Sequence, residues 1–364
     1  LSTPLGLNLQ TTLEAEGLQV ERFPLDGGAY VLVCDRGGRV FGPIFPGEES
    51  VHWLNPVLES REATHEFVGN GGWNVGGERF WVAPEIQFNV RDRNRFWQTL
   101  AVQPQMDPAH WTLERTGESI DLSARMMLEA YNIARGSVGV DVHRRVRSVA
   151  NPLHQLDERD RLMHGVSYAG YEQEITIRAQ SDDGVSCATW LLLQLSPPGT
   201  VFIPTTGAPR FADYFEPVDE SVCRSTMSGL ALRLSGRRRY KIGVSTVSST
   251  GRLAFLSEPR GKEGDSFLVV RNYFNDPSSA YLEEPPALKG ISGHSAFVYN
   301  DDGNGGGFGE LECVGLPVGG PHPAERTETF QAWTFRGRSE SLKGIAHLLV
   351  GTIVDEGWSD GDLA

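Results

Sequence analysis

Cysteine is scarce in this chain. Its 364 residues include only 4, at Cys34, Cys187, Cys223 and Cys313. None forms a C-x-x-C pair, so neither a zinc ribbon nor a thioredoxin-type redox motif is written here. Cys34, Cys187 and Cys313 lie in or beside apolar runs and read as buried free thiols, which points to a reducing compartment. The expected localisation is cytoplasmic, or periplasmic if a signal has been removed. Long apolar runs are missing too: none reaches the roughly 18 residues of a membrane-spanning helix. The opening LSTPLGLNLQ has no basic region followed by an apolar one. Positive charge is also in short supply, with 33 Lys and Arg against 47 Asp and Glu and a net charge of −14. A field of that sign repels phosphate backbones, so nucleic acid is not an expected partner.

Several chemistries lack their signatures. There is no Walker-type loop, no G-x-S-x-G elbow and no dinucleotide fingerprint. Gly71-Gly72 and Gly76-Gly77 do not precede a helix pattern, so they do not read as a phosphate cradle. The 9 histidines include no H-x-H or H-E-x-x-H spacing, and neither a metal nor an organic cofactor is expected. No repeat of fixed period marks a propeller. The segment Asp141 to Arg147 places Asp141, His143, Arg145 and Arg147 on one strand face, which reads as a solvated edge strand blunted by charge rather than an anion site.

What the chain has is turns and short alternating segments. Gly 42 and Pro 21 stand beside a hydrophobic fraction of 39%. Sixteen candidate strands follow one another, among them Ala29–Cys34, Arg39–Ile44, Arg79–Ala83, Val185–Leu195, Tyr240–Ser245, Ser295–Tyr299 and Gly309–Val314. Helical spacing occurs only near the ends. One helix is expected over residues 6–17 and another over 339–354, with Leu342, Ile345, Leu349 and Ile353 in a stripe and Ser339 or Ser341 as cap. The expected fold is all-β: one domain over 1–364, two large antiparallel sheets packed face to face, and short terminal helices.

Two segments carry candidate chemistry. In GGERFWVAPE (76–85), period-two alternation puts Arg79, Trp81 and Glu85 on one face, with Ala83 as spacer. An aromatic plate, a guanidinium fork and an acid suit a neutral polyol. In GFGELEC (307–313), Leu311 and Cys313 face one way and Glu310 and Glu312 the other. Two carboxylates on one face can split their pKa values and serve acid–base work. Aromatics crowd the early chain (Trp53, Trp73, Phe80, Trp81, Phe96, Trp97, Trp111), and Trp53 joins the binding candidates. Among the histidines, His164 and His294 stand at strand ends, where an acid or a hydrogen-bonding group would serve.

These segments, with GGRVFGPIF (37–45), HWLNP (52–56), ATWLLLQLSPPGTVFIPTTG (188–207) and VRNYFNDPSSAYLEEP (270–285), give the chain a resemblance. It is similar to the galactose mutarotase-like superfamily, near the aldose 1-epimerases, as an uncharacterised bacterial branch. The resemblance implies a β-supersandwich with a sugar site on a concave face. It implies Glu310 or Glu312 as base at the anomeric centre and Arg79 as the early hydroxyl-holding arginine. His164 stands where an acid would, although the S-H-x-Y-F-N type loop of mutarotases is absent. The expected ligand is a sugar or oligosaccharide, with Arg79, Trp81, Glu85, Trp53 and His294 binding it. An epimerase-like isomerase is favoured over a glycoside hydrolase or lyase using paired carboxylates, or a non-catalytic sugar-binding module.

Overall fold

The structure is a computed structural model that describes residues 5–47, 49–259 and 264–351. Two large antiparallel sheets dominate it, as the succession of alternating segments predicts. The strands are numbered along the chain. The first sheet has 9 strands in the order β1 (Val20–Pro24), β2 (Tyr30–Cys34), β3 (Arg39–Ile44), β4 (Glu78–Ala83), β9 (Ala188–Leu195), β18 (Gly309–Val314), β17 (His294–Asn300), β14 (Tyr240–Ser245) and β11 (Phe211–Asp213). The second has 10: β12 (Cys223–Ser225), β13 (Gly229–Leu234), β10 (Gly199–Pro204), β15 (Arg252–Ser257), β16 (Ser266–Tyr273), β19 (Glu325–Gly337), β8 (Ser167–Gln180), β7 (Gly136–Ser148), β6 (Ser119–Ala130) and β5 (Thr112–Thr116).

Burial differs between the sheets in a way that locates the site. Strands β6 and β7 alternate buried and exposed positions, the mark of a sheet with one wet face. Their outer face carries the charged row, with His143 and Arg145 on Asp121 at 3.2 and 2.9 Å and Arg147 on Glu172, but β7 is paired on both sides, by β6 and β8, and is not the expected edge strand. In the first sheet, β4, β9 and β18 are buried at every position. Both of their faces are therefore covered: one by the second sheet, the other by loops and short helices.

The terminal helices pack as apolar stripes. Leu9 and Leu13 of the helix Leu5–Ala15 meet Leu32 and Phe41. Leu342, Ile345 and Leu349 of Ser339–Val350 cover Leu268, Val270 and Phe335; Ile353 lies outside the described residues. Arg338, not Ser339 or Ser341, occupies the N-cap position, and it makes no side-chain cap bond. Short helices also interrupt the strands, at Arg61–Gly69, Glu85–Phe88, Phe96–Thr99 and Arg159–Leu162. The first has a legible start, the Ser60 side chain accepting the Ala63 N–H. No helix among the described residues is long and apolar enough to cross a membrane.

Between the sheets runs a buried polar cluster. Glu78 of β4 meets Arg271 of β16 at 2.5 Å and accepts hydrogen bonds from Tyr171 and Gln173 of β8 at 2.5 and 2.7 Å. Arg271 also reaches the Cys313 Sγ at 3.4 Å. Desolvation raises the pKa of the buried thiols, Cys187 to about 12 and Cys313 to about 11, which leaves them unreactive at neutral pH. Removing one member of a buried ion pair strands the other. Glu78→Ala is expected to cost about 3–5 kcal/mol, read as a lowered urea midpoint at unchanged slope; a loss below about 1 kcal/mol contradicts this account of the cluster.

Candidate functional site

Strand alternation builds the site. On β4, Glu78 and Phe80 face the second sheet, so Arg79 and Trp81 face the other way. On β18, Cys313 points toward Arg271 in the second sheet, so Glu310 and Glu312 share the face with Arg79. The register then sets two rows. One runs Arg79, Leu192, Glu312, Phe297 through direct cross-strand partners. The next runs Gln194, Glu310, Tyr299, Lys241. The cations pair diagonally rather than along their own rows. Arg79 Nη2 lies 2.9 Å from Glu310 Oε1, and Lys241 Nζ lies 3.1 Å from Glu312 Oε2. Lys241 also meets Glu85 at 3.3 Å.

Aromatic rings seat both cations. The Arg79 guanidinium lies 4.2 Å from the Trp81 ring centroid and 5.1 Å from that of Trp73. The Lys241 ammonium lies 4.4 Å from Trp190. Trp81 is itself fixed by its indole N–H, which donates to Asp107 Oδ2 at 2.9 Å, and Asp107 in turn pairs with Arg39 at 2.6 Å. Above the cations is a hollow of about 230 Å³. Its floor is charged. Its walls are Leu100, Val102, Tyr299 and Phe308, and its rim is Phe96, Trp97 and Phe215. Trp97 is 47% exposed and packs on Phe215 with ring centroids 4.8 Å apart and the planes tilted by 51°.

The two carboxylates of β18 differ in how they are held. Glu312 Oε2 accepts the Trp190 indole N–H at 3.0 Å besides its contact with Lys241. Glu310 is 2% exposed, and its Oε1 has no hydrogen-bond partner; the Arg79 guanidinium stands beside it but is not aligned to donate. Burial raises the pKa of both acids, Glu85 adds to both and Glu312 adds to Glu310, against the opposing pull of Arg79 and Lys241. Burial pulls Lys241 down, but Glu312, Glu85 and Glu283 outweigh it and hold the ammonium charged. Glu283 accepts the backbone N–H of Glu85 at 2.7 Å, and desolvation pushes its pKa up to about 8.

The structure brings together Arg79, Trp81, Glu85, Glu310 and Glu312. Glu85 arrives by a different route from the one its spacing suggests. The strand stops at Ala83, and Glu85 opens the short helix Glu85–Phe88 with its carboxylate turned back to Lys241. Trp81 is the seat of Arg79 more than a free plate. Trp53 stands behind the wall: its indole N–H donates to Gly306 O at 3.1 Å and its ring packs on Phe308 at 4.8 Å. A Cβ on Gly306 would come within 2.4 Å of that indole, so the loop 302–307 needs glycine there. His294 is buried and bonded to the Tyr214 hydroxyl at 3.0 Å, outside the lining, with its pKa lowered to about 4 by burial. His164 lies elsewhere. It is exposed in the turn before β8, in the other sheet, and is not among the lining residues. Among the described residues no group of three or more His, Cys, Asp and Glu could hold a metal ion.

Residues 25–357 match the profile of a family described as a family of unknown function, DUF6786. The chain belongs to DUF6786. Among solved structures it is similar to the crystal structure of 4-alpha-glucanotransferase from Thermococcus litoralis, at 7% identity and a TM-score of 0.31. That alignment covers 92% of this chain and 42% of the other, so the DUF6786 chain spans less than half the length of that structure. No curated protein matches it.

Sequence reasoning passed over Lys241, Glu283 and Trp190 in this DUF6786 member. Lys241 had a signal: it is the one charged residue in the strand Tyr240–Ser245, otherwise apolar or small. Glu283 sits in an extended loop, where no periodicity marks it. Its raised pKa has a measurable consequence. The folded state holds a proton on Glu283 that the unfolded state, near 4.5, has released, so the stability this proton confers is complete below about pH 4.5 and is lost as pH rises toward about 8. Between pH 5.5 and 7.5 the wild type is expected to lose about 2 kcal/mol relative to Glu283→Gln. Urea unfolding at the two pH values reads this difference, and parallel pH dependence in both proteins contradicts it.

Proposed function

We propose that the hollow binds a single sugar ring and that Glu310 and Glu312 carry out epimerase-like acid–base chemistry at its anomeric centre. The observation that carries this reading is Glu310, a buried carboxyl with an unmet oxygen, next to a second carboxylate and beneath an open hollow. Other buried polar atoms among the described residues also lack partners, Glu78 Oε1 included; what sets Glu310 apart is its place in the lining of the hollow beside a second acid. The volume suits one ring; drug-sized ligands occupy about 300–1,000 Å³. The resemblance of GGERFWVAPE and GFGELEC to the galactose mutarotase-like superfamily supports the same reading.

The chemistry follows from the pair. Two coupled carboxyls with raised pKa values tend to hold one proton between them near neutrality, which supplies an acid and a base together. The ionised member takes the proton of the anomeric hydroxyl, and the protonated member gives its proton to the ring oxygen. The bond from the anomeric carbon to the ring oxygen opens, leaving an aldehyde. Closure on the other face reverses both transfers. Arg79 and Lys241 hold hydroxyls and limit the charge on the pair. His164 has no part in this scheme. A second reading rests on Lys241, whose contact with both Glu85 and Glu312 draws those carboxylates together as glycoside hydrolysis requires.

Glu310→Gln is expected to slow anomer equilibration of the preferred aldose by about 10²–10⁴-fold, and Glu312→Gln to act in the same direction. Polarimetry or one-dimensional NMR on a panel of aldoses measures the rates, with thermal melting to show that the variants fold. Unchanged rates in both variants remove the assignment. Release of nitrophenol from aryl glycosides, lost in Glu85→Gln, favours hydrolysis instead. Saccharide binding by calorimetry without either turnover leaves a binding module.

A further inference from the structure

Acidic groups outnumber basic ones around the hollow. Three carboxylates line it, those of Glu85, Glu310 and Glu312, against two cations, Arg79 and Lys241. Each cation is already engaged: Arg79 by Glu310 at 2.9 Å, and Lys241 by Glu312 at 3.1 Å and Glu85 at 3.3 Å. The surrounding layer does not restore the balance. Arg39 belongs to Asp107 at 2.6 Å, and Arg239 at the rim belongs to Asp302 at 2.8 Å. Asp301 is held by the loop amides of Gly303, Gly305 and Gly307. Glu283, behind Glu85, keeps its proton at neutral pH and adds no charge of either sign. His294 is turned to Tyr214, and the Tyr299 hydroxyl, facing Asp301, is held protonated by burial. Among the described residues no lining cation is left for an anionic ligand, and the three lining carboxyls match the two cations only while the Glu310–Glu312 pair keeps one proton.

We infer that the sugar taken by this hollow carries a free ammonium group, as a hexosamine does, and that uronic acids and sugar phosphates are rejected. This rests on the sugar-ring reading above. An ammonium would bring the charge that the shared proton now supplies, and N–H donors to the Glu310 carboxyl, whose Oε1 has Arg79 beside it but no aligned hydrogen bond. A phosphate or carboxylate in the same place would find no free cation and would have to take Arg79 or Lys241 from its partner.

The test is a binding panel on the intact wild-type protein, followed by calorimetry and tryptophan fluorescence. It uses glucosamine, galactosamine and mannosamine, their N-acetyl forms, the parent hexoses, and the matching uronates and 6-phosphates. The best amine is expected to bind at least about tenfold more tightly than its N-acetyl and parent forms, with the acidic sugars weakest. Because Glu310 shares its proton with the neutral pH range, binding the amine near pH 7 should release protons. Calorimetry in buffers of different ionisation heat detects that release, with no variant needed. In Glu310→Gln the ratio of amine to N-acetyl affinity should fall toward one. Equal affinities with no proton release, or tighter binding of a uronate or phosphate, overturn the charge inference and leave the sugar site standing. Failure of every sugar to bind overturns both.

Discussion

The crossed ion pairs Arg79–Glu310 and Lys241–Glu312 are the constraint around which the site is organised. They span five adjacent strands, β4, β9, β18, β17 and β14, that the chain visits at widely separated points. Neighbouring strands lie about 4.8 Å apart, so a cation two strands from its carboxylate must reach across the strand between. Arg and Lys have the length to do so. The strand between offers Leu192 to one and Tyr299 to the other, both lining the hollow. A shorter cation at either place would leave its carboxylate buried and alone. The aromatic seats under Arg79 and Lys241 further restrict each cation to one position.

The same strands carry buried charge on their opposite face, and the two faces are settled differently. Facing the second sheet, Glu78 is met by Arg271, Tyr171 and Gln173. Such an arrangement compensates the desolvation of a carboxylate and confers specificity of packing. Facing the hollow, Glu310 is equally buried but has one cation beside it and an oxygen without a donor. The difference is not one of burial. Each carboxyl has an Oε1 with a cation beside it and no aligned donor, but Glu78 Oε2 accepts two hydrogen bonds between the sheets, whereas Glu310 stands beneath the hollow. Glu312 lies between these cases, held by Trp190 and Lys241. Two neighbouring acids in unlike surroundings are the usual means of separating an acid from a base.

Much of this was legible in the sequence, for a specific reason. Period-two alternation is a local rule, and it correctly placed Arg79 with Trp81, Glu310 with Glu312, and Cys313 on the opposite face. The run of sixteen short strand segments with helical spacing only near the ends predicted two large sheets. The rule fails where the chain leaves the strand. Glu85 reaches the hollow from a helix, so its place in the count was coincidence. Lys241 and Glu283 join the site through pairing order and loop path, which are not written in local spacing. His164 was inferred from position in a family pattern, and nothing in its own surroundings drew it to the hollow; the turn before β8 opens onto the other sheet. Trp53 was read as a platform because aromatics crowd that segment, but a dense aromatic segment must also build walls, and Trp53 supports Phe308.

Polar groups on both faces of β4 also explain how the register of so apolar a sheet is kept unique. Leu-rich strands such as β9 pair almost equally well after a shift of two residues, because one leucine replaces another. A shift of one would exchange Glu78 with Arg79, sending a guanidinium toward Arg271 and a carboxylate toward Glu310. Two like-charged contacts would then be buried where two attractive ones stood, a penalty far above what apolar repacking can recover. A shift of two would instead carry Arg79 away from Glu310 and Trp81 away from Asp107, leaving both carboxylates without those partners. The costly charges are thus the elements that tell one alignment from another. The residues that make the hollow chemically capable are the same ones that fix the order in which its strands are joined.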